Sequence, residues 1–277
     1  MSAEVIVLNS HGVGQITEID TLPRLGETIT GYNWRIAQDG GKGSNCSISL
    51  GRLGIKTAFI GKVGNDLWGD LGETWMREAG VDVSCLIRSD EVSTGTGLIL
   101  LMNDGNNTII HGESSGCALT EDEIQRSIEH HRKARIIISG FEVPMEKALF
   151  GLKIAKQMGI YTILNPSPIP KEKVPALDFV DMLIINEQEG NALSGVDAEE
   201  ESDLKPFLEK IKKEYGCRSV IMTLGAQGAV CLTEQNKFLE CVAPKVKVVD
   251  STGAGDAFAA AFAAGLIWNF HIQKALE

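Results

Sequence analysis

The sequence contains no stretch of about 18 uninterrupted apolar residues, the length a helix needs to cross a bilayer. Its start, Met1 to Leu8, lacks both the basic and the long apolar region of a secretion signal, so a cytoplasmic protein is expected. Basic runs are absent as well. With 37 acidic against 26 basic side chains the net charge is −11, whereas phosphate backbones are held by clustered Lys and Arg, which argues against non-specific nucleic-acid binding. The six cysteines (Cys46, Cys85, Cys117, Cys217, Cys231, Cys241) form no CxxC pair, which argues against a zinc site or a disulfide framework. Of the five histidines, His130 and His131 are adjacent and none are four apart, the spacing that would put two imidazoles on one helical face.

What remains is an ordinary core-forming composition, 43% hydrophobic over 277 residues, with no internal repeat, low-complexity tract or long linker. Val5 to Leu8, Arg135 to Ser139, Tyr161 to Leu164, Met182 to Ile185 and Ser219 to Leu224 read as buried strands. Amphipathic segments alternate with them. Leu71, Trp75 and Ala79 repeat every four residues up to Gly80, and Thr120 with Glu123 makes a capping-box pattern. Leu149 to Met158 stops at Gly159, and Leu204 to Ile211 stops before Gly216. This alternation predicts an α/β fold, a mostly parallel central sheet with helices on both faces. Gln15 to Gln38 and Thr94 to His111 have no helical period and read as β-hairpins that pair into a small β-sheet lid. The expected organisation is one domain over residues 1–277, with lid segments at about 15–38 and 94–111 inserted in the core.

The sharpest local signal is Asp250-Ser251-Thr252-Gly253-Ala254-Gly255-Asp256, between a β-like run (Val246 to Val249) and the small-residue helical stretch Ala257 to Leu266. A glycine-rich turn at a helix N-terminus leaves backbone N–H groups aimed outward at the positive end of the helix dipole, where they stabilise phosphoryl oxygens. Asp256 falls in the first helical turn, where the dipole favours the ionised carboxylate that can accept a hydroxyl proton. By itself the stretch also fits an Asp-capped tight turn. Gly40-Gly41-Lys42-Gly43-Ser44-Asn45 lies ahead of a helix-like segment from Cys46 to Leu53. Its glycines permit close backbone approach, Lys42 offers a point charge and Asn45 offers both donor and acceptor to hydroxyl groups, although a flexible turn fits equally well. Lys42 is not preceded by the spacing of a Walker A loop.

Together, and in this order, the two stretches resemble the signature regions of the ribokinase or PfkB carbohydrate kinase family. Leu22-Pro23 with Gly26-Glu27-Thr28, Phe141-Glu142-Val143-Pro144, Asn165-Pro166-Ser167-Pro168, Asn186-Glu187-Gln188-Glu189 and Thr223-Leu224-Gly225 with Gly228 extend the resemblance over nearly the whole chain. The resemblance implies a ribokinase-like fold and ATP-dependent phosphorylation of an alcohol group on a small sugar-like acceptor. It implies Asp256 as catalytic base, with the amides of Gly253, Ala254 and Gly255 as anion hole. Gly41, Lys42, Asn45 and Glu142 would bind the acceptor, and Thr223 and Gly225 would lie along the nucleotide. Asn186 and Glu189 match the motif that helps hold Mg²⁺ and phosphate through water, or else form a solvated helix cap. Lys42 with Glu142 would otherwise be a surface ion pair. Asp250 would belong to a monovalent-cation site, with K⁺ the expected ion, and the lid would pair between subunits of a homodimer.

Two departures from the family pattern stand out. Gly14 occupies the place of the Asp that reads two neighbouring sugar hydroxyls, so the acceptor lacks that diol, is bulkier there, or is read by Asn9 or His11. The chain stops at Glu277, where the family continues for a few dozen residues that normally wall the adenine, so either the sequence is truncated or the nucleotide pocket is incomplete. The alternatives are a nucleoside kinase, with Trp34 as the candidate base slot, and a non-catalytic sensor on the kinase fold. Gly12 and Gly14 also suggest a dinucleotide fingerprint, but Thr17 stands where its third glycine belongs and no helix follows.

Overall fold

A computed structural model describes residues 2–37, 40–103, 106–112, 115–196, 198, 203–248 and 251–277. In chain order its strands are β1 (Val5–Leu8), β2 (Gly12–Ile19), β3 (Tyr32–Ile36), β4 (Thr57–Gly64), β5 (Asp82–Ser89), β6 (Gly95–Met102), β7 (Asn107–His111), β8 (Ile136–Gly140), β9 (Tyr161–Asn165), β10 (Met182–Asn186), β11 (Ser219–Thr223), β12 (Ala229–Leu232) and β13 (Phe238–Cys241). The helices are α1 (Gly41–Arg52), α2 (Leu67–Glu78), α3 (Glu121–His130), α4 (Met145–Gln157), α5 (Glu187–Ser194), α6 (Leu204–Tyr215), α7 (Ala254–Ile267) and α8 (Ile272–Leu276).

Nine strands form one sheet in the order β13-β12-β11-β10-β9-β8-β1-β4-β5, parallel from β11 to β5 and antiparallel at β11–β12 and β12–β13. Strands buried on both faces need apolar side chains at consecutive positions, which is why β1 reads Val-Ile-Val-Leu with every residue buried. Side chains alternate between faces, so the same strand feeds two cores. Ile6 and Leu8 pack with Ile124 and Ile128 of α3, Leu149 and Leu152 of α4, and Phe207 and Ile211 of α6. Val5 and Val7 belong to the opposite core, with Leu50 of α1, Met76 of α2 and the Ala259 to Ala264 stretch of α7. Small side chains on α7 let it lie close to α1, and that proximity brings the two glycine-rich turns together.

The second sheet has the order β3-β2-β6-β7. Each hairpin is antiparallel, and β2 pairs parallel with β6 in unbroken register from Gly12↔Gly95 to Ile19↔Met102. The lid sheet expected from the two irregular segments is therefore present. The Thr120–Glu123 box closes in both directions at the start of α3. One local expectation fails: Val246 to Val248 are not a strand but irregular chain, with Val246 and Val248 about 70% exposed. Alternating Val and Lys has the right period there, but β structure also needs a partner, and among the described residues β13 pairs only with β12. Among the described residues, no helix is long and apolar enough to cross a membrane.

Candidate active site

The site forms at the carboxyl ends of the parallel strands, where sheets of this type leave a crevice between the loops that leave them. β10 delivers Asn186, β11 delivers Thr223, and β9 ends on Asn165, whose amide donates to the Ile184 carbonyl (2.8 Å). These three, with Lys42, Glu189, Ser251 and Gly253 to Asp256, line a cavity of about 220 Å³. Lys42, Asn186, Glu189, Thr223, Gly253, Ala254, Gly255 and Asp256 were all expected at the site from sequence, and one cavity gathers them.

Gly253 caps α7 with φ +73, a left-handed conformation that glycine adopts without strain. A Cβ at Gly253 would stand 3.3 Å from Asn45 Nδ2. The Ala254 amide donates to the Ser251 carbonyl (3.1 Å), so of the three amides expected in the anion cradle this one is engaged within its own turn. Asp256, three residues into the helix, is 7% exposed, and its Oδ2 accepts a hydrogen bond from Asn45 Nδ2 (3.1 Å). Asn45 is held from its other end, since Oδ1 accepts from the Gly40 amide (3.2 Å). The two glycine-rich turns, 211 residues apart in sequence, thus meet through one side-chain amide.

Glu142 lies in the turn after β8, against the same glycine-rich turn that carries Asn45. Its Oε2 accepts from Ser10 Oγ (3.1 Å) and from the Gly43 amide (3.4 Å). Gly41 has φ +76, and a Cβ there would stand 3.3 Å from the same carboxylate, so both the backbone angle and the close approach call for glycine. Burial pushes the Glu142 carboxyl above its ordinary value, outweighing the Lys42 and Gly43 amides, the Lys42 ammonium and the Ser10 hydroxyl, which act the other way. The carboxylate is half-buried and is met by the glycine-rich turn and by Ser10 rather than standing as an isolated surface ion pair.

Asn186 and Glu189 form a reciprocal cap on α5: Asn186 Oδ1 accepts from the Glu189 amide (2.8 Å) and Glu189 Oε2 accepts from the Asn186 amide (2.9 Å). The cap is therefore present, and the same two residues line the cavity. Glu189 is 8% exposed and lies in the cavity lining. Gly225, at φ +52 in the turn after β11, lies outside that lining, and Asp250 lies outside the described residues.

Neither neighbour of Gly14 is placed to read an acceptor. His11 is fully buried and bonded to Ser44 and Trp68, while Asn9 is 6% exposed and accepts from the Ser10 amide (2.9 Å). Trp34 stands 59% exposed on the outer lid strand β3. Sequence reasoning gave no role to Ser10, which bonds Glu142, or to Asn165 and Ser251, which line the cavity. A polar residue ending an apolar strand, as in Tyr-Thr-Ile-Leu-Asn, is the signal that would have found Asn165.

Residues 37–277 match the family model described as pfkB family carbohydrate kinase. The chain belongs to this family. A ribokinase of Staphylococcus aureus is 31% identical over 267 residues, 96% of this chain and 87% of that protein. A ribokinase of Mus musculus is 29% identical over 280 residues, 100% of this chain and 86% of that one. The solved structure of Arabidopsis thaliana ribokinase complexed with ribose and ATP superposes with a TM-score of 0.89 at 28% identity, covering 100% of this chain and 89% of that one. This carbohydrate kinase is accordingly ribokinase-like, a phosphotransferase, and the sensor and nucleoside-kinase readings are not favoured.

The donor set fits the groups such a kinase uses. A glycine turn opening a 14-residue helix suits the oxygens of a nucleotide's terminal phosphates. Among the described residues no three His, Cys, Asp or Glu side chains cluster to hold a metal ion directly.

Proposed function

We propose that Asp256 is the general base of an ATP-dependent phosphoryl transfer to an alcohol group of a small sugar-like acceptor. The observation that carries this reading is the position of Asp256, buried in the first turn of α7 between the Gly253–Gly255 turn and the Asn45–Glu142 side of the site. Asn45 holds the carboxylate, Lys42 and Glu142 bind the acceptor, and Asp256 takes the hydroxyl proton as the oxygen attacks the γ-phosphorus in line. The N-terminal amides of α7 offset the charge that develops on the transferring group, and Thr223 and Gly225 lie along the nucleotide. Mg²⁺, held through water by Glu189 and Asn186, would neutralise phosphate charge. Closure of the lid sheet over the acceptor excludes water.

Ribose is the sugar bound in the Arabidopsis complex, and a sugar of that class is the acceptor inferred here. Gly14 on β2 offers no side chain to it, which leaves acceptor recognition to Glu142, Lys42 and Asn45. The test is ADP release from MgATP across pentoses, hexoses, keto-sugar acids and nucleosides, with and without potassium. Release that depends on one sugar supports the reading, a potassium requirement extends it to a monovalent-cation site that includes Asp250, and the same rate with and without every acceptor contradicts it. Exposed apolar side chains on the lid (Trp34, Ile36, Ile109, Ile110) support a homodimer formed through that sheet. Sedimentation as a monomer at working concentration would remove the dimer.

A further inference from the structure

The three residues that join β1 to the lid strand β2 end on His11, whose ring is fully buried. Its Nε2 lies 3.2 Å from the Trp68 carbonyl in the first turn of α2. A carbonyl only accepts, so Nε2 carries the proton, and in the neutral ring Nδ1 accepts from Ser44 Oγ at 2.8 Å. Two glycines make room for this bridge. A Cβ on Gly72 would stand 2.1 Å from Nε2, and one on Gly40 would stand 2.5 Å from the Ser44 Cβ and 3.2 Å from Nδ1. Ser44 immediately precedes Asn45, the residue that holds Asp256. The same turn of α2 also ties the other lid strand: Asp66 accepts from the Thr94 amide (2.8 Å) just before β6 and from the Gly69 amide (2.9 Å).

We propose that His11 is a positioning residue for the transfer: it fixes the glycine-rich turn at the start of α1, and through Asn45 the carboxylate of Asp256, to the first turn of α2, which also holds the start of lid strand β6. The proposal rests on the roles given above to Asn45 and Asp256. An apolar ring would fill the same space, but only a donor on one side and an acceptor on the other set the rotation of α1 against α2.

The two halves of the bridge can be cut separately. Asparagine at position 11 places its oxygen near Nδ1 and keeps the Ser44 bond, whereas glutamine places its nitrogen near Nε2 and keeps the Trp68 bond. Ser44→Ala cuts the first bond from the other end. Ser47→Ala is the control, because its buried hydroxyl bonds the Ser44 carbonyl (3.0 Å) without touching the ring. Ser44→Ala and His11→Gln are expected to raise the acceptor KM about tenfold, the scale of one net buried hydrogen bond, with the MgATP KM within about twofold. The double variant Ser44→Ala with His11→Gln should be no worse than either single one, and His11→Asn, which cuts the Trp68 half of the bridge, should lose about as much. Hydrogen exchange at the amides of residues 41–45 should quicken in Ser44→Ala, His11→Gln and His11→Asn and not in Ser47→Ala. That readout decides the proposal even if no acceptor is phosphorylated, an outcome that would count against the reaction itself. A wild-type acceptor KM with unchanged exchange in Ser44→Ala, or effects of Ser44→Ala and His11→Gln that add, would overturn it.

Discussion

Replacing Asn45 with alanine removes the amide through which the two glycine-rich turns touch. Among the described residues, the bonds that go include the donor to Asp256 Oδ2 at 3.1 Å and the acceptor for the Gly40 amide at 3.2 Å. A hydrogen bond to a charged group contributes about 1.5–3 kcal/mol. If most of that energy serves to hold the carboxylate in line with the acceptor hydroxyl, kcat falls by roughly 10- to 100-fold, since each 1.36 kcal/mol is about tenfold in rate. Loss of a partner for the Gly40 amide costs about 1 kcal/mol of stability, which lowers Tm by about 2–4 °C in a chain of this size. Steady-state kinetics and a thermal melt on the same preparation separate the two effects. The acceptor KM should rise as well, because the amide is also proposed to meet the acceptor. A kcat within about twofold of wild type, accompanied by the expected fall in Tm, would refute the orienting role.

Gly253→Ala forces an L-residue to φ +73 and drives a methyl to 3.3 Å from Asn45 Nδ2, so turnover should fall by about tenfold or more with a stability loss of about 1–2 kcal/mol, read by chemical denaturation. Glu189→Gln keeps the reciprocal cap, which glutamine also forms, while removing the charge; Tm should stay within about 1 °C and the Mg²⁺ concentration for half-maximal rate should rise several-fold. Burial raises the Glu142 carboxyl, so the folded chain holds its proton more tightly than the unfolded one. The stability this gives is full below the ordinary glutamate value of about 4.3 and is lost as pH rises through the raised one. Glu142→Gln should therefore match wild type in Tm near about pH 4, exceed it at neutral pH, and lose acceptor binding by calorimetry.

The fold was legible wherever sequence period and tertiary role agree. The runs Val5–Leu8 and Met182–Ile185 are apolar throughout because both their faces are covered, and α3 announces itself with Thr120 and Glu123. β4 was not read from the sequence, although nearly all of it is buried, because Gly61, Lys62 and Gly64 interrupt its apolar run. Lys62 instead reaches Glu123 (2.9 Å) and the Ala118 carbonyl (3.1 Å), contacts that no local pattern announces. At the site, Asp256 and its turn were legible because glycine and a helix start are local features. The bond between Asn45 and Asp256 was not, since it depends on how α7 packs on α1. His11 shows the same limit: its closeness in sequence to Gly14 suggests an acceptor contact, and only the packing of α1 and α2 around the ring turns it inward.

The central claim is that Asp256 takes the proton of the acceptor hydroxyl, and Asp256→Asn tests it most directly because asparagine keeps the shape and loses the base. Acceptor and ATP binding by calorimetry should stay within a few-fold of wild type, while acceptor-dependent ADP formation falls by about 10²- to 10⁴-fold, the usual contribution of a positioned base. Turnover near the wild-type rate, with binding intact, would contradict the assignment.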